Sequence, residues 1–373
     1  MRPRARRGIL RSTLRGAVAV AGVGGGGAWY LRSRDAEAYE RLAAGTWRGP
    51  EPTSQPLVEL VRCATLAPNS HNTQPWRFGI GQDAIRILPD IARRTPVVDP
   101  DDHHLFCSLG CAVETMAQAA PAIGLVAEIE VADGGDVTLR AAPGPRAPTD
   151  MSDAIARRRS TRAPFDPAPL STAELAALEQ AGGSDERVGL IMVTDAPRRA
   201  SLSELVLAGN SVQLRDRAFV AELKAWIRFS HAQAVAMRDG LFAGASGNPV
   251  VPAFIGQRLF DAVFTVAAET DRMAQLLAGS SGFAVFVAEE ANAAHWVAAG
   301  RAAQRFCLKA TALGIRTSWV NQPVEVPVLR PVLASWLGLG DRRPDLVLRF
   351  GRGRALPASL RRDLADVIVE MDQ

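Results

Sequence analysis

The sequence is poor in cysteine, with four in 373 residues. None of them belongs to a spaced pair in a loop, and each falls within an apolar helical pattern: Cys63, Cys107, Cys111 and Cys307. Small disulfide-stabilised domains show paired, loop-borne cysteines, so this pattern argues against a disulfide framework. We expect the four thiols to be small residues of the core.

Acidic residues are absent from the first 34 positions, which carry eight arginines. The formal net charge of +4 therefore arises at the N-terminus, because the remainder has 35 basic against 39 acidic residues. A nucleic-acid surface requires a basic body and not a basic leader. The charge distribution argues against nucleic acid as a partner.

A long apolar run is also missing. The stretch from Gly16 to Leu31 is weakly hydrophobic and glycine-rich, whereas a membrane-spanning helix needs about 20 apolar residues. Arg6 and Arg7 precede it in the manner of a twin-arginine export motif. We interpret residues 1–50 as an export signal or membrane anchor plus linker, with membrane association through residues 1–31 and an extracytoplasmic location. The alternative is a disordered tail on a cytoplasmic protein.

No Ser-His-Asp or Cys-His set stands out, and the glycine run from Gly22 to Gly27 lacks the strand, helix and acidic residue of a dinucleotide fingerprint. Four side chains could share one helical face as metal ligands, namely His103, His104, Cys107 and Cys111. No second cluster with metal-like spacing supports them, so we expect no metal.

The chain contains an internal repeat. Residues 110–125 align with residues 300–315 without gaps at an offset of 190, and both copies are predicted as helices that end at glycine. Small residues at this spacing let helices approach closely, so we expect the copies to pack near a pseudo-twofold axis. Chance similarity of alanine-rich helices is the alternative. The Pro- and Gly-rich segment 141–149 would link a first half, 51–140, to a second, 150–373.

Periodicity predicts helices and strands in both halves. In the first half, helices are expected at 55–67 and 104–120, with strands near 76–80, 84–88, 126–131 and 136–140. In the second half, the expected helices are 151–159, 172–181, 200–209, 216–230, 258–277, 295–313 and 326–337, and the strands lie near 188–194, 282–288, 316–320 and 345–351.

Residues 64–78 are the most informative stretch, because a helix gives way to a polar loop and then to an alternating strand. Prolines punctuate the loop, and its side chains offer many donors and acceptors for a planar polar ligand: Pro68, Asn69, Ser70, Asn72 and Gln74. A capped turn is the alternative.

A basic segment, Arg157 to Asp166, opens the second half. Within it Arg158, Ser160 and Arg162 could converge on one anion, since guanidinium forks suit phosphate oxygens. Basic clusters of this kind also occur as solvated faces.

These segments resemble those of the FMN-dependent nitroreductase superfamily. The loop looks like its P-S-S-x-N-x-Q-P-W segment, with Asn69 where serine is usual, and residues 158–162 look like the R-x-S-x-[RK] motif that grips the FMN 5′-phosphate. Residues 70–76 together with 321–327 are similar to the Acg-type branch of single-chain flavoproteins. The resemblance spans about residues 54–370.

The resemblance implies an α+β, nitroreductase-like fold in which two fused halves form an internal pseudo-dimer, so that the chain is monomeric. The first half supplies the polar loop and the second the phosphate motif, which implies one composite site and one FMN per chain. Three residues would line the isoalloxazine, Val320, Asn321 and Gln322, with Asn-Gln in place of the common Glu-Gly. Arg361 would also reach the phosphate, with Arg349, Arg352 and Arg354 as rivals. His71 is expected to be a hydrogen-bonding loop residue.

The activity that the resemblance implies is electron transfer from NAD(P)H, a transient donor, through FMN to an electron-poor aromatic or quinone. Flavin N5 would carry the hydride, so no catalytic side chain is expected. The alternative is FMN storage beneath a lid, for which the long glycine- and proline-rich segment 238–257 is a candidate. That segment could equally be a loop packed permanently on the core.

Overall fold

The computed structural model describes residues 33–370, so the predicted leader, residues 1–31, lies outside it. Within the described range, no helix combines the length and apolar character needed to cross a membrane. Export or anchoring through the leader stays a prediction.

A five-stranded sheet is formed mainly by the first half. Its order is β11-β1-β2-β4-β3, with β1 (Trp76–Ile80), β2 (Ala84–Pro89), β3 (Leu125–Val131), β4 (Val137–Pro143) and β11 (Ile368–Val369). Neighbours are antiparallel except β11, which runs parallel to β1. Residues 368–369 therefore return to the first sheet. The sequence reading missed β11, because two residues are too short to show alternation.

A four-stranded antiparallel sheet, β5-β8-β10-β9, lies in the second half. Its strands are β5 (Val188–Val193), β8 (Gly282–Ala288), β9 (Arg316–Trp319) and β10 (Leu346–Gly351). Every residue of the central β8 and β10 is buried, as both faces are covered. A short parallel pair joins β6 (Ile227–Arg228) to β7 (Leu241–Phe242).

Helices account for most of the remaining chain, and the prediction of an α+β fold is confirmed. They are α1 (33–46), α2 (Pro56–Thr65), α3 (His103–Ala119), α4 (Asp150–Ala154), α5 (Thr172–Gly182), α6 (Ala196–Arg215), α7 (Arg217–Ala225), α8 (His231–Met237), α9 (Ala253–Val263), α10 (Val266–Ala278), α11 (Ala293–Ala312), α12 (Gln322–Glu325), α13 (Arg330–Leu337) and α14 (Leu364–Val367).

Several predicted helix boundaries were wrong. The helix expected at 151–159 ends at Ala154. The helix expected at 200–209 is longer than predicted and runs from Ala196 to Arg215 as α6. The helix expected at 216–230 stops at Ala225, and the chain then pairs as β6. The helix expected at 258–277 is two helices, since Thr265 caps the start of α10 by accepting a hydrogen bond from the Ala268 N–H. The helix expected at 326–337 begins only at Arg330, as α13, because the chain turns at residues 326–329, which include Pro327.

Helices α3 and α11 cross between the two sheets at Gly110 and Gly300. A Cβ on Gly110 would lie 2.0 Å from the carbonyl oxygen of Val297, and one on Gly300 would lie 2.0 Å from that of Cys107. The repeat offset of 190 relates these two contacts: Gly110 corresponds to Gly300, and Val297 corresponds to Cys107, so each contact is the other with its partners swapped. Two polar contacts exchange in the same way, Gln304 with Thr115 at 2.8 Å and Arg305 with Glu114 at 2.9 Å.

The four cysteines are buried and carry free thiols. Cys63 and Cys111 pack in the core of the first half, and Cys107 and Cys307 pack in the core beside β8 and β10. They are small core residues, as the sequence predicts.

Candidate functional site

The polar loop after α2 has an unusual backbone. His71, Asn72 and Gln74 have φ angles of 47°, 54° and 55°, in the left-handed region that favours glycine. Asn69 holds the turn, because its Oδ1 accepts a hydrogen bond from the Gln74 N–H at 2.8 Å and its Nδ2 donates to the Ala67 carbonyl at 3.2 Å. Such strain persists where surrounding contacts fix the chain, and it concentrates at functional sites.

Two amides of the loop bond to distant backbone. Gln74 is fully buried behind the loop, where its Nε2 donates to the Arg238 carbonyl at 2.9 Å and its Oε1 accepts from the Arg362 N–H at 2.8 Å. Asn72 donates to the carbonyls of Gly240 and Leu360 at 3.0 and 3.2 Å. Gln74 is absent from the lining of the two cavities described below, whereas Asn72 lines the smaller one.

A cavity of about 50 Å³ lies between the loop and the basic segment. The basic segment is aligned here by β9, because Ser160 bridges to Thr317 and the Thr161 N–H donates to the Thr317 carbonyl. The lining combines the predicted motif residues with the C-terminal arginine: Pro68, Asn69, Asn72, Arg158, Arg159, Ser160, Arg162 and Arg361. The structure thus brings together residues that are about 300 positions apart.

The arginines of this cavity lack a counter-charge. Within residues 33–370 none of the four makes an ion pair with a carboxylate, and Nη1 of Arg158 is buried without a hydrogen-bond partner. Burial lowers the pKa of Arg158 and of Arg162, and burial together with Arg158 lowers that of Arg159 to about 9. Clustered, desolvated guanidinium groups of one sign are stabilised by an anion.

Arg361 is held in place by the end of α2 and by the loop. Its Nε donates to the Thr65 carbonyl at 2.5 Å, and its Nη1 donates to Oδ1 of Asn72 at 2.8 Å. Burial, followed by the neighbouring Arg158 and Arg159, lowers its pKa well below the usual range. The last carbonyls of a helix favour a cation, so α2 positions this guanidinium.

The rival arginines lie elsewhere. Arg349 is buried, stacks 3.9 Å from Phe165 and donates to the carbonyls of Thr161 and Ala163. Arg352 pairs with Glu174, and Arg354 is exposed. Of the four candidates, Arg361 is the one that lines the smaller cavity, while Arg349 lines the larger.

Trp47 forms one wall of the arginine cavity, and sequence reasoning missed it. The guanidinium carbons of Arg159 and Arg361 lie 3.6 and 4.8 Å from its ring centroid, and its Nε1 donates to the Ser359 carbonyl at 2.8 Å. Guanidinium groups stack favourably on indole, so Trp47 restrains both arginines. Its partners are more than 100 positions away, and no local pattern signals the contact.

A second cavity, of about 300 Å³, adjoins the first and shares with it Pro68, Asn69, Arg162, Leu241 and Trp319. Ser70 and His71 contribute from the loop, and Val320, Asn321 and Gln322 contribute from the end of β9. Burial lowers the pKa of His71 to about 4, so its imidazole is neutral at pH 7. Oδ1 of Asn321 accepts from the Val347 N–H at 2.8 Å, and Oε1 of Gln322 is buried without a partner.

An apolar part of the lining comes from α7, β6, α10 and the turn before α10: Phe219, Leu223, Ile227, Phe264, Met273 and Leu276. The segment proposed as a lid lies against the same cavity through Leu241, Ala243, Ser246 and Asn248. It is anchored where Asp239 accepts hydrogen bonds from Arg228 and Arg93.

Three of the four side chains considered as metal ligands have separate partners. Nε2 of His103 lies 3.0 Å from Oδ1 of Asp345, Nε2 of His104 lies 3.5 Å from Oε1 of Glu325, and Cys111 donates to the Gly300 carbonyl. No group of three or more His, Cys, Asp or Glu among residues 33–370 is arranged to hold a metal ion.

Comparison with known proteins gives three findings. Residues 155–352 match the model of the Nitroreductase family. The chain is 25% identical over 348 residues to "Putative NAD(P)H nitroreductase Rv3131" of Mycobacterium tuberculosis, covering 85% of this chain and 92% of that protein. It is also 25% identical over 332 residues to "Putative NAD(P)H nitroreductase acg" of the same species, covering 84% and 96%. Among solved structures, the FMN-dependent nitroreductase NfnB from Mycobacterium smegmatis, in complex with NADPH, aligns with a TM-score of 0.39 and 16% identity over 60% of this chain and 98% of that one.

Proposed function

Because this chain belongs to the nitroreductase family, in its Acg-type branch, we propose that it is an FMN-dependent oxidoreductase. It would pass electrons from NAD(P)H to an electron-poor aromatic or quinone acceptor. Bound FMN would supply a ring that takes up a hydride and passes the electrons on. The protein supplies the binding surface, the orientation and the exclusion of water.

The observation that carries the proposal is the arginine cavity. Four guanidinium groups without a carboxylate partner among residues 33–370, one of them with an unpartnered buried Nη1, fit a phosphate dianion. Arg158, Ser160 and Arg162 would bind its oxygens from one side and Arg361 from the other. The adjoining larger cavity, lined by polar loop residues and by the end of β9, has the chemistry to receive a flat ring with polar edges.

Each remaining predicted residue has a role in this arrangement. Pro68, Asn69 and Ser70 would face the ring from the loop, and Val320, Asn321 and Gln322 would face it from the end of β9. Asn72 would hold Arg361 against the phosphate through its Oδ1. Gln74 would fix the loop from behind. We therefore assign Gln74 to positioning and not to ligand contact.

We further propose that residues 51–140 and 150–373 are two nitroreductase-like halves that form an internal pseudo-dimer with one FMN per monomeric chain. The exchanged contacts around Gly110 and Gly300 support this, because a twofold relation makes each contact occur twice with its partners swapped. The unequal contributions also support it: the loop comes from one half and the arginine segment from the other.

Flavin titration tests the proposal. Apoprotein titrated with FMN should bind one equivalent, and NADPH should then reduce the flavin and support turnover with a quinone. Arg158→Ala removes charge-assisted hydrogen bonds worth about 1.5–3 kcal/mol, so the dissociation constant should rise roughly 10- to 100-fold. Arg352→Ala is the matched control, since Arg352 pairs with Glu174 outside both cavities. Equal effects of the two variants, or two FMN per chain, would contradict the composite site.

A further inference from the structure

The larger cavity has a polar end that lies one helical turn beyond Gln322. Glu325 closes the four-residue helix α12, and residues three apart lie on the same face of a helix, so Gln322 and Glu325 both line the cavity. Helix α6 packs tightly on this turn, because a Cβ on Gly209 would lie 2.8 Å from the Gln322 carbonyl carbon. The carboxyl group is therefore held rigidly beside the proposed ring-binding residues.

The surroundings of Glu325 favour its neutral, protonated form. Its Oε2 accepts a hydrogen bond from Nε2 of Gln213 at 2.6 Å, and its Oε1 lies 3.5 Å from Nε2 of His104. Burial raises its pKa and outweighs the opposing effects of His104 and of the Gln213 hydrogen bond, while burial and the adjacent His103 lower the pKa of His104 to about 3. A neutral imidazole gives the carboxylate little charge compensation.

The other charged groups near Glu325 do not reverse the rise of its pKa. Asp99, which precedes α3, raises its pKa further. Arg330, on α13, donates its Nε to the Val324 carbonyl. From α6 the neighbours are the neutral amides of Gln213 and Asn210. A carboxylic acid thus keeps its proton here at a higher pH than an exposed glutamate does.

Unpartnered polar atoms in the same cavity indicate what would bind. Asn210 lies one helical turn before Gln213 on α6, and its Nδ2, like Oε1 of Gln322, is buried without a hydrogen-bond partner among residues 33–370. Nδ2 of Asn210 and a protonated Glu325 are both donors, and two donors suit one acceptor oxygen. The same cavity is also lined by apolar and aromatic side chains, which suit a planar ring carrying that oxygen.

We propose that Glu325 is the proton donor of this cavity, and that Glu325 and Asn210 together receive a carbonyl oxygen of a quinone acceptor. The inference rests on the proposed reductase function. Reduction of a quinone to a hydroquinone adds two electrons and two protons. A hydride brings both electrons and one proton, so one further proton is needed. The O–H bond of Glu325 breaks as an O–H bond forms on the quinone, and the carboxylate then regains a proton from solvent.

The chain offers a matched control in Glu269, on α10. It is the second glutamate that lines this cavity, and burial raises its pKa as well. Its nearest charged partner is Arg272, at 3.7 Å, and not a neutral histidine. Glu325→Gln and Glu269→Gln make the same chemical change in the same cavity, but only the first removes the proposed donor.

The experiment uses the FMN-loaded full-length protein. The flavin is reduced anaerobically with dithionite and then mixed with 1,4-benzoquinone in a stopped-flow instrument across a pH series. In the wild type and in Glu269→Gln, reoxidation should slow as the pH rises through the raised pKa of Glu325. Glu325→Gln should be roughly 100-fold slower at low pH and should lose this pH dependence. Similar rates and pH profiles for Glu325→Gln and the wild type would overturn the inference.

A second readout does not depend on turnover. Infrared difference spectra taken between low and high pH should show the carbonyl band of a protonated buried carboxyl group that persists above the range of ordinary glutamates. Glu325→Gln should remove one component of this band relative to the wild type, and Glu269→Gln should leave that component in place; an unchanged band in Glu325→Gln would overturn the assignment. Dithionite replaces NAD(P)H as the reductant, so the experiment does not depend on the nicotinamide step. If only the role of Glu325 is wrong, the protein should still bind FMN and the quinone should still reoxidise the flavin. A wild type that binds no FMN would refute the proposed function and the inference with it.

Discussion

Replacement of Gly300 by alanine tests the crossing of α3 and α11 that holds the two halves together. The added methyl carbon would lie 2.0 Å from the Cys107 carbonyl oxygen, whereas ordinary van der Waals contact begins near 3.4 Å. The obstacle is backbone, so no rotamer change relieves it. We therefore expect overpacking to lower the free energy of unfolding by about 3 kcal/mol, the upper part of the usual range. Alanine has a higher helix propensity than glycine, which returns about 1 kcal/mol, so the net loss of stability is about 2 kcal/mol.

Urea denaturation followed by circular dichroism measures this loss as a lowered midpoint at an unchanged slope. Gly45→Ala is the matched control: Gly45 lies in α1 with no atom within 4 Å of an added Cβ, so its midpoint should stay the same or rise slightly. The double variant Gly110→Ala/Gly300→Ala should lose clearly less stability than the sum of the losses of the two single variants. Once α3 and α11 have moved apart to accommodate one methyl group, the second needs little further movement. A Gly300→Ala midpoint equal to that of Gly45→Ala would refute the close approach, and strict additivity would refute its shared origin.

Two further predictions concern side chains around the site. Asp239→Asn should lower the free energy of unfolding by about 3 kcal/mol, because it leaves the buried Arg228 without its counter-charge. Asp261→Asn, which removes an exposed partner of Lys224, should change the free energy of unfolding by less than about 1 kcal/mol. Equal urea midpoints of the two variants would contradict the anchoring role of Asp239. Trp47→Ala should weaken FMN binding roughly tenfold in fluorescence titration, since stacking on desolvated guanidinium groups contributes about 1–2 kcal/mol, and Trp47→Phe should restore most of the affinity. Indistinguishable affinities of Trp47→Ala and the wild type would exclude that role.

Sequence reasoning succeeded where the signal is local. The strand alternation from Trp76 to Ile80 predicts β1 with its observed bounds, and the glycine that ends each repeat copy does adopt a left-handed φ, at Gly124 and Gly314. The spacing of Arg158, Ser160 and Arg162 predicts that the three side chains converge, and all three line one cavity; their binding of an anion stays a prediction.

It was less successful where a residue's role depends on distant parts of the chain. The amide of Gln74 suggests a ligand contact, but its partners are Arg238 and Arg362, and only the folded backbone reveals them. Glu325 lies in a segment that the sequence singles out, yet the burial that raises its pKa and its contacts with His104 and Gln213, more than 100 positions earlier, appear only in the folded chain. The helix expected at 258–277 shows the same limit, because a continuous apolar pattern outweighed the local capping signal of Thr265.

The route of residues 352–369 has a consequence for the timing of assembly. Both sheets except β11 are complete by Gly351, but the arginine cavity still lacks Arg361, which is bonded to the end of α2 across 296 positions. A chain still emerging from the ribosome can therefore form most of its hydrogen-bonded framework before this guanidinium is in place. Under the proposed function, capture of a phosphate-bearing ligand would follow the docking of residues 368–369 on β1.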